Sequence, residues 1–358
     1  MCIRDSCYAQ LNPDNLKNME GVDMVIGTRD KFKVLEFVEK LDNGNFSAIH
    51  TCSIESVEMF NASYTTSERT RGFLKVQDGC DYHCSYCTVP LARGQSRNAG
   101  IQKTVAQAQE IAGQGIAEIV LTGVNIGDFG RSTGESFFDL LKELLTVKDI
   151  QRYRISSIEP NLLTDQIIRL VAEHDKMAKH FHIPLQSGCN TILAQMKRRY
   201  NRELYADKVS LIRSIIPLAS VGSDVIVGFP GEGETEFEDT YRFIESQDIS
   251  YLHVFPYSER PNTPAATMKE KVSHAQKEER SKRLISLSKQ KSDLFYQKNI
   301  HRNETVIFES RIKNNRMMGF TSNYVIAEAP VSTDLFGKPV RIELLERNER
   351  GNMEVKIV

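Results

Sequence analysis

Three cysteines stand close together in "KVQDGCDYHCSYCTVPLARG", Lys75 to Gly94: Cys80, Cys84 and Cys87, a C-x3-C-x2-C array. A structural zinc ion takes four ligands, commonly as two separated C-x2-C pairs. No second pair and no H-x3-H follows here, and His83 is adjacent to Cys84, a poor arrangement for both to reach one ion. Iron–sulfur clusters are held by thiolates at tight spacings, and three thiolates on a four-iron cube leave one iron open to a further ligand. Thiolate chemistry alone leaves zinc and iron–sulfur both open.

The segments around the array must position it. From Arg71 to about Ser258 apolar strands alternate with amphipathic helices. Strands are expected at Gly72–Gln77, Glu118–Thr122, Tyr153–Ser157, His180–Leu185, Ser223–Gly228 and Tyr251–Phe255. Between them one helix carries Phe137, Leu140, Leu141, Leu144 and Leu145 on one face, and another carries Phe237, Tyr241 and Ile244 behind a Thr235-x-x-Glu238 capping box. Strands alternating with helices form βαβ units and a parallel sheet, and six in succession predict a partial TIM-like (β/α)6 barrel. The cysteine motif, "GVNIGDFG", "SIEP", "QSGC", "FPGEGE" and "PYSERPNTP" each follow one of these strands. In parallel barrels such loops converge on one face, where active sites form. Gly, Asn, Ser and Pro also make ordinary turns, so any one loop has that plainer reading.

Residues 275–299 read as a basic helical connector, with seven Lys/Arg against three Asp/Glu. From about Ile300 the runs "TVIFES", "MMGFTSN", "NYVIAEA", "PVRIELLER" and "MEVKIV" alternate between turns, predicting a small β-barrel of about five strands. Residues 7–39 resemble the last strand ("VDMVIGT") and helix ("KFKVLEFVEKL") of an α/β unit, a remnant that cannot bury its own faces. Of 358 residues 40% are hydrophobic, enough for a substantial core, and 46 Lys/Arg balance 47 Asp/Glu at a formal net charge of −1. That excludes a wholesale polycation but not a local basic face. No run of 18 apolar residues is present, so no transmembrane helix is expected, and the start has no apolar signal segment. Seven cysteines with three clustered point to a cytoplasmic protein using thiolates as ligands, not to a secreted disulfide framework.

With C-x3-C-x2-C after the first strand of a partial barrel, and Tyr86 just before the third cysteine, the sequence resembles the radical S-adenosylmethionine (SAM) enzymes. The stretches "GCDYHCSYCTVPLARGQSR", "HIPLQSGCNTILAQMKRRY", "SDVIVGFPGE" and "FPYSERPNTPAA" extend the resemblance, over nearly the whole chain, to the methylthiotransferases. "KVQDGCDYHCSYC", "SSIEP" and "LQSGC" look most like the MtaB branch, which methylthiolates C2 of N6-threonylcarbamoyladenosine beside the tRNA anticodon. Sister branches act on isopentenyladenosine of tRNA or on a ribosomal-protein aspartate. A non-catalytic, metal-stabilised RNA-binding protein is the alternative of another class.

The resemblance implies a [4Fe-4S] cluster on Cys80, Cys84 and Cys87 whose open iron chelates SAM. It places Tyr86 near the adenine and Gly123 and Asn125 at the amino end of SAM. It offers Glu159 and Gln186 for SAM ribose or substrate, and Arg198 and Arg199 for a carboxylate or phosphate of the substrate. Each has a plainer reading: a tight turn for the first pair, a loop hydrogen bond for the second and a solvated helix end for the third. Cys189 reads as a small buried hydrophobe and Cys52 as structural. The expected division is 1–45 as the remnant of an N-terminal methylthiotransferase domain, 46–66 as linker, 67–295 as radical SAM domain and 296–358 as a TRAM-like RNA-binding barrel. The expected partners are tRNA and an electron donor such as flavodoxin or ferredoxin, with the protein a monomer. A second [4Fe-4S] cluster belongs to the family. Cys7, in "CYAQLNP", matches one of its ligands, and Cys2, in "MCIRDS", does not match. The other ligands belong to segments upstream, so an N-terminally truncated chain that holds only the first cluster is expected.

Overall fold

The computed structural model describes residues 3–5, 7–42, 49–57, 59–66 and 70–358, so Cys2 and part of the expected linker lie outside the described residues. At the amino end β1 (Ile3–Asp5), α1 (Cys7–Leu11), α2 (Pro13–Lys17), β2 (Met24–Ile26), α3 (Val34–Asp42) and β3 (Ile49–His50) form a parallel sheet in the order β1-β2-β3. The expected strand is the central one, and Met24, Val25 and Ile26 are all buried. The unit leans on the next: the Thr28 hydroxyl donates to the Ala92 carbonyl at 2.6 Å.

β4 (Ser63–Thr65) runs antiparallel to β5 (Arg71–Lys75), so part of 46–66 belongs to a sheet. A two-residue ladder joins β6 (Gln77–Asp78) to β7 (Arg97–Asn98) and closes the cysteine loop, with α4 (Val89–Arg93) inside it. The barrel continues through α5 (Ile101–Gly113), β8 (Glu118–Thr122), α6 (Phe137–Leu145), β9 (Arg152–Ile155), α7 (Asp165–Glu173), β10 (His180–His182), α8 (Asn190–Gln195), α9 (Arg202–Ile215), β11 (Ser220–Val227), α10 (Glu234–Ser246) and β12 (Tyr251–Pro256). The six parallel strands stand in chain order, β5-β8-β9 and β10-β11-β12, and a Tyr153–Met177 bridge with the Ile158 N–H to His182 carbonyl bond (3.0 Å) links the two sets.

The helices form where the sequence places them because each has an apolar stripe to bury and a cap. In α6 Ser136 Oγ accepts the Asp139 N–H at 3.1 Å, and Phe137, Leu140, Leu141 and Leu144 are buried. Two expectations shift. β10 ends at His182 because Pro184 has no N–H and Gln186 sits at φ 65°, which carries the chain off the ladder. The cap of α10 is Gly233, whose N–H reaches Glu236 at 3.0 Å, not Thr235 with Glu238. Glu238 instead faces the connector helix and pairs with Arg283.

That connector, α11 (His274–Gln297), opens with a Ser273–Gln276 capping box and packs along β12. Strands β13 (Asn303–Lys313), β14 (Arg316–Thr321), β15 (Ile326–Pro330), β16 (Pro339–Arg347) and β17 (Met353–Ile357) close into a barrel ordered β13-β14-β15-β17-β16. Asn314 and Asn315, at φ 52° and 56°, make the left-handed turn that the first hairpin needs. This small barrel docks under the amino ends of the large barrel's strands, where Arg152 donates to the carbonyls of Thr305 (2.7 Å) and Phe320 (2.9 Å). No helix among the described residues is long and apolar enough to cross a membrane.

Candidate active site and metal centre

The cysteine loop is built from its roots upward. Gln77, fully buried at the start of β6, donates to the carbonyls of Asp78 (3.0 Å) and Gly79 (2.8 Å) and to Ser96 Oγ (2.9 Å). Its Oε1 accepts the N–H groups of Val124 (3.0 Å) and Asn125 (2.8 Å), tying the loop after β5 to the loop after β8. Gly79 holds φ 71°, and a Cβ there would meet the Gln95 carbonyl oxygen at 1.9 Å, so the turn into Cys80 accepts only glycine. Ser85 then fastens the loop to two other rim segments. Its hydroxyl donates to the Gln195 carbonyl (2.8 Å), its N–H to Met196 (3.1 Å), and its carbonyl accepts from Ala265 (2.8 Å).

The three thiols face one another closely enough for their charges to interact, and each sulfur has one N–H donor. Tyr82 N–H lies 3.4 Å from Cys80 Sγ, Val89 N–H 3.4 Å from Cys87 Sγ, and Arg198 Nη1 3.1 Å from Cys84 Sγ. Burial pushes all three thiols up, Cys80 to about 12, and the neighbouring thiolates raise Cys80 further. Three sulfurs, one buried and two half-buried, that each accept a hydrogen bond yet resist ionisation lack only a cationic centre among them. That donor set fits an iron–sulfur cluster.

Around them the rim loops supply polar groups. Asn125 is buried, its Nδ2 donates to Asp128 at 3.0 Å, and its Oδ1 has no partner among the described residues. Burial raises the Asp128 carboxyl, and its charge is felt at Cys80, so this orphan acceptor stands beside the cysteine loop. Gly123 passes so close to Gln77 that a Cβ would lie 3.0 Å from its carbonyl oxygen. Arg198, with 4% of its side chain exposed, pairs with Glu159, donates to Tyr200 at 3.1 Å and lies 3.4 Å from the Tyr86 hydroxyl. Burial raises Glu159, and Arg198 opposes the rise. The guanidinium expected to meet substrate is therefore committed to the cysteine loop. Arg199 is exposed, stacks over Tyr82 at 4.0 Å and donates to the Asp81 carbonyl at 2.9 Å. Burial also pushes the Tyr86 phenol up.

A cavity of about 280 Å³ opens beside Tyr86, lined also by Gln186, Asp224, Phe255, Tyr257 and Arg260. Cys189 is buried among Ile192, Met196 and Phe229, as its reading as a small hydrophobe expects. Cys7 sits apart from the triad, its sulfur 3.2 Å from Arg93 Nε on α4, and the Cys52 carbonyl accepts from Gln10 at 2.9 Å. Sequence reasoning missed Gln77, Asp128, His182, Asp224 and His253. The signal open to it was polar residues within or just after apolar strands, which the apolar period makes conspicuous.

The match to the radical SAM superfamily covers residues 74–244. The threonylcarbamoyladenosine tRNA methylthiotransferase MtaB of Bacillus subtilis (strain 168) is 38% identical over 360 residues, covering 97% of this chain and 78% of that protein. The Aquifex aeolicus (strain VF5) protein of the same name is 37% identical, covering 90% of this chain and 78% of its own length. The tRNA-2-methylthio-N(6)-dimethylallyladenosine synthase of Alkaliphilus oremlandii (strain OhILAs) is 31% identical, covering 91% and 70%.

Proposed function

The chain belongs to the MtaB-type methylthiotransferases of the radical SAM superfamily, and on that premise we propose that it adds a methylthio group to C2 of threonylcarbamoyladenosine in tRNA. The family implies a [4Fe-4S] cluster and SAM, which when bound supply one-electron chemistry able to open an unactivated C–H bond. The observation that carries the reading is the set of three closely spaced thiols, Cys84 buried and Cys80 and Cys87 partly so, each with its own N–H donor.

In this reading Cys80, Cys84 and Cys87 hold the cluster. Arg198 fixes Cys84 and Glu159 at once, so the loop after β9 and the cysteine loop keep one geometry. Asn125, with an unpartnered acceptor, takes the amino end of SAM, and Tyr86 borders its adenine. The small barrel takes the RNA, and Cys7, whose sulfur lies against Arg93 of α4, is a ligand of a second cluster. The substrate comes from outside through the open rim, and the strands below shut water out.

Anaerobic reconstitution followed by iron, sulfide and zinc assay of the same sample tests the metal reading. About four irons per chain support the first cluster alone, about eight add the second at Cys7, and zinc without iron overturns the enzyme. Mass spectrometry of tRNA nucleosides and ribosomal proteins from a deletion strain tests the substrate. Loss of methylthiolated threonylcarbamoyladenosine is expected, and loss of a protein modification instead would overturn it.

A further inference from the structure

Strands β10, β11 and β12 of the large barrel carry a polar group outside the cysteine loop. Along β12 the side chains alternate: Leu252 is buried, while Tyr251, His253 and Phe255 form a row of rings, with His253 5.3 Å from Tyr251 and 6.4 Å from Phe255. His182 Nε2 and His253 Nδ1 approach the same carboxylate oxygen, Asp224 Oδ1, at 3.0 and 3.2 Å. The Tyr251 hydroxyl lies 3.4 Å from His182 Nδ1 and 2.9 Å from His180 Nε2. His182 is thus engaged at both nitrogens. His253 is engaged at one, and its Nε2 and the second oxygen of Asp224 have no partner among the described residues. The side chain of His253 is 55% exposed, so the unengaged nitrogen faces open space.

That space adjoins the cavity beside Tyr86. Asp224 and Phe255 are in its wall, and Arg260 stands at its edge with an exposed guanidinium that has no side-chain partner among the described residues. Burial would raise the Asp224 carboxyl, but the hydrogen bonds from His182 and His253 outweigh it and hold the group well below the usual carboxylate range. An imidazole ring donating Nδ1–H to a carboxylate that stays ionised is oriented and electrostatically supported, and as imidazolium it presents Nε2–H to a second anion.

The names of the related enzymes differ in the substituent on adenosine N6. A threonylcarbamoyl group carries a carboxylate, a hydroxyl and amide-type N–H donors, whereas a dimethylallyl group carries no polar atom. A wall bearing an imidazole, a guanidinium and a free carboxylate oxygen would be left unpaired against the apolar group, which is how a polar site rejects an apolar analogue. Resting on the function proposed above, we infer that His253 is a specificity-determining residue: with Arg260 it takes the carboxylate of the threonylcarbamoyl substituent, and Asp224 is the positioning residue that aims it. The carbamoyl N–H groups fall to the free oxygen of Asp224.

The test uses the anaerobically reconstituted full chain and three anticodon stem–loops, carrying threonylcarbamoyladenosine, the same nucleoside with its carboxylate amidated, and dimethylallyladenosine. Binding is read by fluorescence anisotropy and product by mass spectrometry. Wild type should favour the free carboxylate over the amide by about 10- to 100-fold, the range of one charge-assisted hydrogen bond. His253→Phe should bring that ratio near one in binding as well as turnover, and His253→Gln, which keeps a donor, should recover part of it. A thermal melt checks that both variants fold. A ratio in His253→Phe equal to that of wild type, with wild-type preference intact, overturns the assignment of His253 alone. Wild type that binds the dimethylallyl stem–loop more tightly than the threonylcarbamoyl one overturns the substrate reading and this inference with it.

Discussion

The two ends of the large barrel are built from the same kinds of residue and do opposite things with them. At the base Glu118, fully buried, takes Arg154 at 2.8 Å and Arg152 at 3.2 Å. The remaining guanidinium donors go to the small barrel: Arg154 to the carbonyls of Thr321 (3.0 Å) and Ser322 (3.2 Å), Arg152 to Thr305 and Phe320. Arg71 stacks over Phe320 at 4.3 Å, and His180 over Tyr324 at 4.3 Å. At the rim Arg198 also spans two acidic or sulfur partners, but the groups around it are left incomplete. Three thiols are held from ionising, and Asn125, Asn161 and Gln195 each have a buried oxygen without a partner among the described residues. Buried charge that finds all its partners within the chain fastens two domains. At the rim the open polar atoms cluster around the three thiols, which makes them candidates to meet a ligand from outside, whereas His180 Nδ1 and the Tyr153 hydroxyl are single atoms elsewhere in the barrel without a partner among the described residues.

That contrast can be broken from either side. The largest effect is expected from Cys84→Ser, which removes one of the three proposed cluster ligands. Iron per chain and methylthiolation should fall by more than about a hundredfold, beyond what losing an outer partner costs, while the urea midpoint of the small barrel stays put. Iron retained at wild-type level would remove Cys84 from the ligand set.

Glu118→Ala should act in the opposite region. It leaves Arg152 and Arg154 buried beside each other without their carboxylate, a loss of about 3–5 kcal/mol in urea unfolding of the full chain. A change below about 1 kcal/mol would mean the docking surface does not depend on this pair. Arg198→Lys sharpens the comparison, because it keeps the charge and loses the planar fork that reaches Cys84, Glu159 and Tyr200 together. Iron affinity should fall by about 10- to 100-fold with little change in stability. An unchanged affinity would make Arg198 a packing residue.

The smallest effect concerns pH. In the small barrel Glu328 is buried, and although burial favours its neutral form, Asn352, Asn348, Arg350 and Arg316 hold its carboxyl down to about 2. A carboxyl depressed in the folded state contributes stability above its unfolded value near 4.5, and that stability is lost as pH falls from there toward about 2. Acid unfolding followed by circular dichroism should show this slope, and Glu328→Gln should flatten it. The same slope in the variant would assign the acid sensitivity to other groups.

Much of this was written in local patterns. The period of apolar residues gave all six parallel strands within a few residues, because a buried strand or helix face needs its hydrophobes at fixed spacing whatever surrounds it. The five runs after Ile300 predicted a barrel that indeed closes. The grouping of Cys80, Cys84 and Cys87 was legible because thiols close in sequence are close in space. Where β10 stops and where α10 is capped were not, since Gln186 and Gly233 answer to Asp224 and Glu236 and not to propensity.

What the sequence alone determined, then, is the class of barrel, the cysteine triad and the family. What only the tertiary structure decided is which charges are already taken. Arg198 and Arg199 are adjacent and chemically alike, yet one is locked between Cys84 and Glu159 and the other lies over Tyr82 at the surface. His182, Asp224 and His253 are spread over 72 residues and meet only because three parallel strands lie side by side. A residue's type states what it can donate or accept. Its partner is set by the fold, since hydrogen bonds and ion pairs depend on ångström distances that no sequence separation encodes.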